Sequence, residues 1–132
     1  MNRMLSPLAP FAAASVILLS AVPAHAADLP KELTTAITHA GMAAGSSDLK
    51  MVQTHLHHVV NCLVGPAGAG FDAGQANPCK DQGAGAIPDA PADKQMILKT
   101  ALASAQGGIA ETDVAKAKAT AAEVQAIIKK AE

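Results

Sequence analysis

The chain has 132 residues, a formal net charge of −1 and 2% aromatic residues. If the first 26 residues are a removable leader, the remaining chain has nine lysines, eleven acids, no arginine and a single aromatic residue besides histidine, Phe71. That composition excludes a sequence-reading nucleic-acid binder, which needs arginine forks, a basic face or stacking aromatics, and the length suits one small domain over residues 27–132.

The leader itself is predicted to be a secretory signal peptide, residues 1–26. Arg3 supplies the positive start, an apolar run covers residues 11–20, and Ala24 and Ala26 form a small-x-small cleavage site. The alternative, a membrane anchor, is disfavoured because the apolar run is shorter than the ~20 residues that a span needs. No later segment is predicted to span a membrane, so we expect a periplasmic or secreted protein.

Cysteine content fits an oxidising compartment. Cys62 and Cys79 are the only two cysteines, so we predict that they form one disulfide. The bridge would close a loop of 17 residues. By the loop-closure argument, such a bridge contributes roughly 3 kcal/mol to stability.

Two helices are predicted before the first cysteine. Helix 1 covers about residues 30–44 with Asp28 as its N-cap, and helix 2 covers about residues 48–64. Ser47 is the N-cap candidate of helix 2, and Gly65 followed by Pro66 is its expected stop. Each helix has an apolar stripe at helical spacing: Leu33, Ala36, Ile37, Ala40 and Ala44 in helix 1, and Leu49, Val52, Leu56, Val59, Val60 and Leu63 in helix 2.

A long segment rich in glycine, alanine and proline comes next, residues 65–89. Loops of this length are unusual inside small domains. The predicted disulfide accounts for this one, because it ties the middle of the loop to the end of helix 2. We expect the apolar side chains of Phe71 and Ile87 to pack against the helices. The alternative is a disordered linker that happens to carry a cysteine.

Two further helices are predicted after the loop. Helix 3 covers about residues 90–105, with Asp89 as its cap, Pro91 in its first turn and Gly107-Gly108 as its end. Helix 4 covers about residues 111–131, and its apolar positions follow the seam pattern of an antiparallel bundle. The predicted fold is all-α, an up-down four-helix bundle with a long disulfide-tied crossover between helices 2 and 3.

Histidine is concentrated in helices 1 and 2. Met51, His55, His58 and Cys62 are spaced by four, three and four residues, so they share one stripe of helix 2. Helix 1 should return antiparallel across the turn at residues 45–47, which sets His39 and Met42 against this stripe. His57 should project away from it.

This set of side chains predicts a metal site made of His39, His55, His58, Met42 and Met51. Imidazole and thioether ligands together suit copper in either oxidation state, while imidazole alone also suits zinc or nickel. Histidines three or four residues apart on one helix are a common way to present such a site. The alternative is that the histidines lie on an ordinary solvated face and that Met51 belongs to the core.

The segments THAGMAA, at 38–44, and HLHHVVN, at 55–61, resemble the helices of small periplasmic histidine-rich metal-binding proteins. The resemblance implies a four-helix bundle that takes up copper and other divalent metals, with His39, His55 and His58 as its helix-face histidines. It covers helices 1 and 2 only. The chain departs from the family pattern because its later helices lack histidine and a loop with two cysteines divides its halves, which implies a capacity of one or two ions.

The favoured function is therefore metal buffering or delivery outside the cytoplasm. We do not predict an enzyme, because the sequence shows no set of nucleophile, base and acid and no phosphate-binding loop. A haem site lacks the Cys-x-x-Cys-His attachment motif. The rival hypothesis is a structural or protein-interaction module that uses the 65–89 loop as its contact surface, with a partner that the sequence does not identify.

Overall fold

A computed structural model describes residues 26–132 of the chain, so the predicted signal peptide lies outside the described residues except for its last residue. Within this range the chain forms five α-helices and no strand. The helices are α1 (Leu29–Gly45), α2 (Leu49–Val64), α3 (Ala86–Asp89), α4 (Ala92–Ala110) and α5 (Val114–Lys129). The all-α prediction is confirmed. Between residues 26 and 132, no helix combines the length and the apolarity that crossing a membrane requires.

Three of the long helices begin with an aspartate whose side chain accepts a hydrogen bond from the first turn. Asp28, Asp48 and Asp113 accept from the backbone N–H groups three residues later, at 3.1, 2.9 and 2.9 Å. These bonds satisfy donors that have no partner inside the helix. The prediction that Asp28 is the N-cap of α1 is confirmed. The prediction that Ser47 is the N-cap of α2 is wrong, because Asp48 occupies that position.

The four long helices enclose a core made mainly of alanine, valine and leucine. α1 contacts α2 and α5, and α4 contacts the same two helices from the other side. The predicted apolar stripes all face this core or its edge. The four long helices and the disulfide-tied connection are present as predicted, although the bounds of the last two helices differ. The up-down alternation of the helices stays a prediction.

The start of α4 differs from the sequence prediction. A short helix, α3, ends at Asp89, and α4 begins at Ala92 with Pro91 in the N-cap position. Asp89 does not cap α4, because its side chain accepts a hydrogen bond from the N–H of Ala84 at 2.7 Å. Pro91 disfavours a helical conformation at the preceding residue, and Ala90 is extended with ψ of 147°.

The end of α4 also differs from the sequence prediction, which places it too early. α4 continues through Gly107 and Gly108 to Ala110, five residues beyond the predicted end. A Cβ atom on Gly108 would lie 2.7 Å from Leu56 Cδ1 and 3.1 Å from Thr120 Cγ2, so glycine there permits close packing against α2 and α5. Gly108 is therefore a packing residue rather than a stop signal. α5 is correspondingly shorter than predicted, since it begins after the Asp113 cap and ends at Lys129.

The long loop is tied to the helices at several points. Cys62 and Cys79 form the predicted disulfide. The buried Asn61 side chain donates to the carbonyl oxygens of Asp72 and Ala76, both at 3.0 Å, and accepts from the N–H of Asp72 at 2.8 Å. Phe71 and Ile87 pack against the core, as predicted. The loop is thus a packed part of the fold, not a loose linker.

Two glycines permit the backbone crossing that closes this loop. Gly65 and Gly85 have φ values of +68° and +121°, which glycine adopts more readily than other residues. A Cβ on Gly65 would overlap the carbonyl of Ala84, and one on Gly85 would lie 2.6 Å from the nitrogen of Gly65. The backbone at the end of α2 therefore packs directly against the backbone at the start of α3, with no room for a side chain between them.

Candidate metal centre

The candidate centre lies between α1 and α2 and consists of three imidazoles, His39, His55 and His58, which we call the histidine cluster. His55 and His58 are three residues apart on α2, so they occupy neighbouring positions on one face. The short turn between Gly45 and Leu49 sets α1 against α2 and brings His39 to the same face. The structure thus unites the three histidines that the sequence predicted.

The nitrogens of the histidine cluster converge closely. His39 Nδ1 lies 3.3 Å from His55 Nδ1 and 3.3 Å from His58 Nδ1. One potential ligand atom from each of the three side chains lies within 4.8 Å of the other two. The ring of His58 is edge-on to the other two, with centroids 5.0 Å from His39 and 5.6 Å from His55.

The environment favours the neutral form of two of the three imidazoles, those of His39 and His58. All three rings are half-buried. Burial lowers the pKa of His39, and His58 and His55 lower it further by charge repulsion. Burial likewise lowers the pKa of His58, with added repulsion from His55 and His57. Neutral imidazoles are the form that binds metal ions.

Hydrogen bonding cannot satisfy all the converging nitrogens of neutral rings. A neutral imidazole nitrogen either carries one proton or has one lone pair in the ring plane. His39 Nδ1 faces two partners, so it can form one good hydrogen bond, to His55 or to His58, but not to both. A cation placed between the rings would engage a lone pair from each of them.

The two predicted methionine ligands lie one helical turn from these histidines in sequence. Met42 follows His39 by three residues on α1, and Met51 precedes His55 by four on α2. Their exposed fractions are 47% and 46%, so both thioethers are accessible to solvent. Their role as ligands stays a prediction.

His57 and Cys62, the other reactive side chains of α2, are engaged elsewhere. His57 Nδ1 lies 3.3 Å from Asp72 Oδ2, in the loop. Cys62 is fully buried and bonded to Cys79. His57 therefore lies outside the histidine cluster, as the helical projection predicted, and provides a built-in control for it.

Sequence analysis missed a second polar cluster, centred on Glu32 in the first turn of α1. Glu32 is fully buried, its Oε1 accepts from the N–H of Gly85 at 3.0 Å, and its Oε2 has no hydrogen-bond partner. Burial raises the pKa of Glu32 to about 7 against the lowering effect of the Gly85 hydrogen bond, and Asp89 adds to the increase. A signal was present, since Glu32 is in line with Ala36, Ala40 and Ala43 on the buried face of α1.

Comparisons with known proteins add no relative. No protein-family model, curated protein or solved structure matches the chain. The resemblance to small periplasmic histidine-rich metal-binding proteins therefore rests on the residues of α1 and α2 alone.

Proposed function

We propose that the protein binds a transition-metal ion through His39, His55 and His58, for buffering or delivery of the metal. The observation that carries the proposal is the convergence of three half-buried imidazoles from two helices, with two Nδ1–Nδ1 separations of 3.3 Å. Copper is the preferred metal if Met42 and Met51 join the site, because thioethers are soft ligands. Imidazoles alone would also accept zinc or nickel.

The geometry supports a metal site better than an ordinary solvated face. Histidines on a solvated face would direct their rings into water and would have no reason to converge. Here the rings lose part of their hydration and their nitrogens face one another, which is unfavourable for protonated imidazoles. A bound cation would offset that desolvation by taking up the lone pairs.

We further propose that the protein works outside the cytoplasm and as a binder rather than an enzyme. The Cys62–Cys79 disulfide supports the location, because such bridges persist mainly in oxidising compartments. The sequence resemblance to periplasmic metal-binding bundles points the same way. The sequence also shows no recognisable set of nucleophile, base and acid, which favours a binding role.

Calorimetric titration of the purified, disulfide-bonded protein with Cu⁺, Cu²⁺, Zn²⁺ and Ni²⁺ tests the proposal. We expect one strong site, and His39→Ala, His55→Ala and His58→Ala should each weaken it by about 10-fold to 100-fold. His57→Ala is the matched control, since it removes an adjacent imidazole that pairs with Asp72. If all four variants bind as the parent does, the cluster is a solvated face.

The rival, an interaction module, is favoured by one observation. An apolar cavity of about 370 Å³ lies between the loop and α4, with Val64, Ile87 and Leu102 in its lining. An apolar recess beside a long loop is a common place for contact with another molecule. The rival gains support only if the histidine variants leave metal binding unchanged.

A further inference from the structure

Resting on the proposed function, we infer that the histidine cluster holds its ion in tetrahedral coordination, with three imidazole nitrogens and one exchangeable fourth position. This geometry selects the d¹⁰ ions Cu⁺ and Zn²⁺ and disfavours Cu²⁺ and Ni²⁺, which prefer square-planar or tetragonal sites.

The separations between nitrogens carry the inference. An ion with metal–nitrogen bonds of about 2.0–2.1 Å sets two tetrahedral ligands about 3.3–3.4 Å apart. A square-planar ion with the same bonds would set neighbouring ligands about 2.8–3.0 Å apart and opposite ligands about 4.0–4.2 Å apart. The two Nδ1–Nδ1 separations that involve His39 are both 3.3 Å. They match two edges of a tetrahedron.

Core packing fixes the backbone positions from which the three imidazoles extend. His55 and His58 flank Leu56 and precede Val59, which are fully buried. His39 precedes the fully buried Ala40 on α1. Sliding either helix to alter the ligand spacing would disturb this closely packed core. The protein therefore offers its nitrogens at tetrahedral spacing without a change in helix packing.

The fourth position distinguishes the two d¹⁰ ions. No cysteine or acidic side chain joins the three histidines in the cluster found among residues 26–132. Water can complete the coordination of Zn²⁺, as in open zinc sites. A thioether favours Cu⁺ over Zn²⁺, and Met42 and Met51 are the nearest ones in sequence, each one turn from a histidine and about half exposed. We assign the fourth ligand of Cu⁺ to one of these methionines.

Cobalt provides the test of geometry, because four-coordinate Co²⁺ absorbs visible light far more strongly than six-coordinate Co²⁺. We expect Co²⁺ added to the disulfide-bonded protein to give the intense tetrahedral bands, and one equivalent of Zn²⁺ to abolish them. In direct competition, Zn²⁺ should bind at least 10-fold more tightly than Ni²⁺. A weak six-coordinate cobalt spectrum, or tighter binding of Ni²⁺ than of Zn²⁺, overturns the tetrahedral assignment while leaving metal binding itself intact.

Failure of the proposed function would look different. If Co²⁺, Zn²⁺ and Cu⁺ all fail to bind, or bind equally well to the variant lacking His39, His55 and His58, the proposed metal site is wrong and the geometric inference falls with it. Tetrahedral cobalt that disappears in this triple variant supports both.

Methionine variants test the fourth position. In the absence of oxygen, Met42→Leu or Met51→Leu should weaken Cu⁺ binding by at least 10-fold and leave Zn²⁺ binding within twofold. Met96→Leu is the matched control, because Met96 is 73% exposed and lies on α4. Unchanged Cu⁺ affinity in the double variant of Met42 and Met51 overturns the thioether assignment, and an equal loss of Zn²⁺ affinity shows instead that leucine disturbs the site.

Discussion

α1 carries two polar clusters of opposite chemical type, the histidine cluster at His39 and the buried carboxyl group of Glu32. They are seven residues apart, roughly 10 Å along the helix. Glu32 is closed off by backbone from the loop and by Asp89, whereas the histidine cluster is only half-buried. Burial raises the pKa of Glu32 and lowers the pKa values of His39 and His58, so it favours the neutral form of each of these three side chains.

The difference in access decides what each cluster can bind. A fully buried carboxyl group beside Asp89 gains most from a proton, which needs no room. Three half-buried imidazoles can exchange a cation with solvent. One end of α1 therefore holds the loop in place, and the middle of α1 carries the candidate ligand His39.

Reduction of the disulfide should have a large effect on stability and should act on the Glu32 end of the molecule. Cys79 Sγ lies 3.7 Å from the carbonyl oxygen of Glu32, so the bridge anchors the loop beside this carboxyl group. We expect reduction to lower the free energy of unfolding by about 3 kcal/mol. Thermal unfolding with and without reductant measures the change. Native thiols that alkylate without reduction would contradict the bridge.

Acid should weaken metal binding at the histidine cluster. Metal ions compete with protons for imidazoles, and the pKa values of His39 and His58 are lowered from 6.5. Affinity should therefore fall on the order of 100-fold between neutral pH and about pH 5. Titrations at a series of pH values measure this. An affinity that is flat across the interval would show that histidines are not the ligands.

A rise in pH from about 4.5 to above 7 should remove stability that the protonated Glu32 contributes. Its folded pKa of about 7 exceeds the ordinary value of 4.5, so the folded state keeps a proton that the unfolded chain releases. Stability contributed by this proton is complete below pH 4.5 and is lost as pH rises through 7, at a cost of about 3 kcal/mol. His39 and His58, whose pKa values are lowered, change stability in the opposite sense, so the decline is measured as the difference in denaturant unfolding between the parent and a variant that lacks the carboxyl group.

Glu32→Gln is the matched variant, because the amide keeps an oxygen for the N–H of Gly85 and cannot ionise. The decline in stability that Glu32 causes between pH 5 and 8 should be absent from this variant. An equally steep decline in the variant would assign the effect to another group. Metal affinity should be unchanged by this substitution if the two clusters are independent.

Two adjacent glycines of α4 should respond in opposite directions to alanine. Gly108→Ala would press a methyl group against Leu56, beside the histidines of α2, at a cost of about 1–3 kcal/mol. Gly107 has open space around its Cβ position, so Gly107→Ala should stabilise α4 by about 0.5–1 kcal/mol. Chemical denaturation of both variants measures the pair. Equal effects would contradict the packing role of Gly108.

Sequence reasoning succeeded where the pattern is local and repeated. Apolar spacing identified the buried faces of the long helices, and helical projection separated His57 from His55 and His58. It failed where a distant contact decides the outcome. In the sequence, Gly108 is typical of a helix end. Its actual role, close packing against Leu56 and Thr120, depends on residues that are distant in sequence.

The same limit explains the missed polar groups. Aspartate is a common N-cap residue, but the carboxylate of Asp89 accepts a hydrogen bond from the N–H of Ala84 in the loop instead. Glu32 and Asn61 are ordinary helix residues in sequence, and their roles depend on a loop whose path no local pattern specifies. The histidine cluster was predictable because two adjacent helices and one short turn determine it.

The central claim is that His39, His55 and His58 bind one metal ion together and His57 does not. The most direct measurement follows the ring nitrogens of the histidines by ¹⁵N NMR as Zn²⁺ is added to the disulfide-bonded protein. One equivalent should shift a single ring nitrogen of each of His39, His55 and His58 to its metal-bound position and leave His57, beside Asp72, unchanged. Equal shifts at His57, or no metal-bound nitrogen at His39, would contradict the claim.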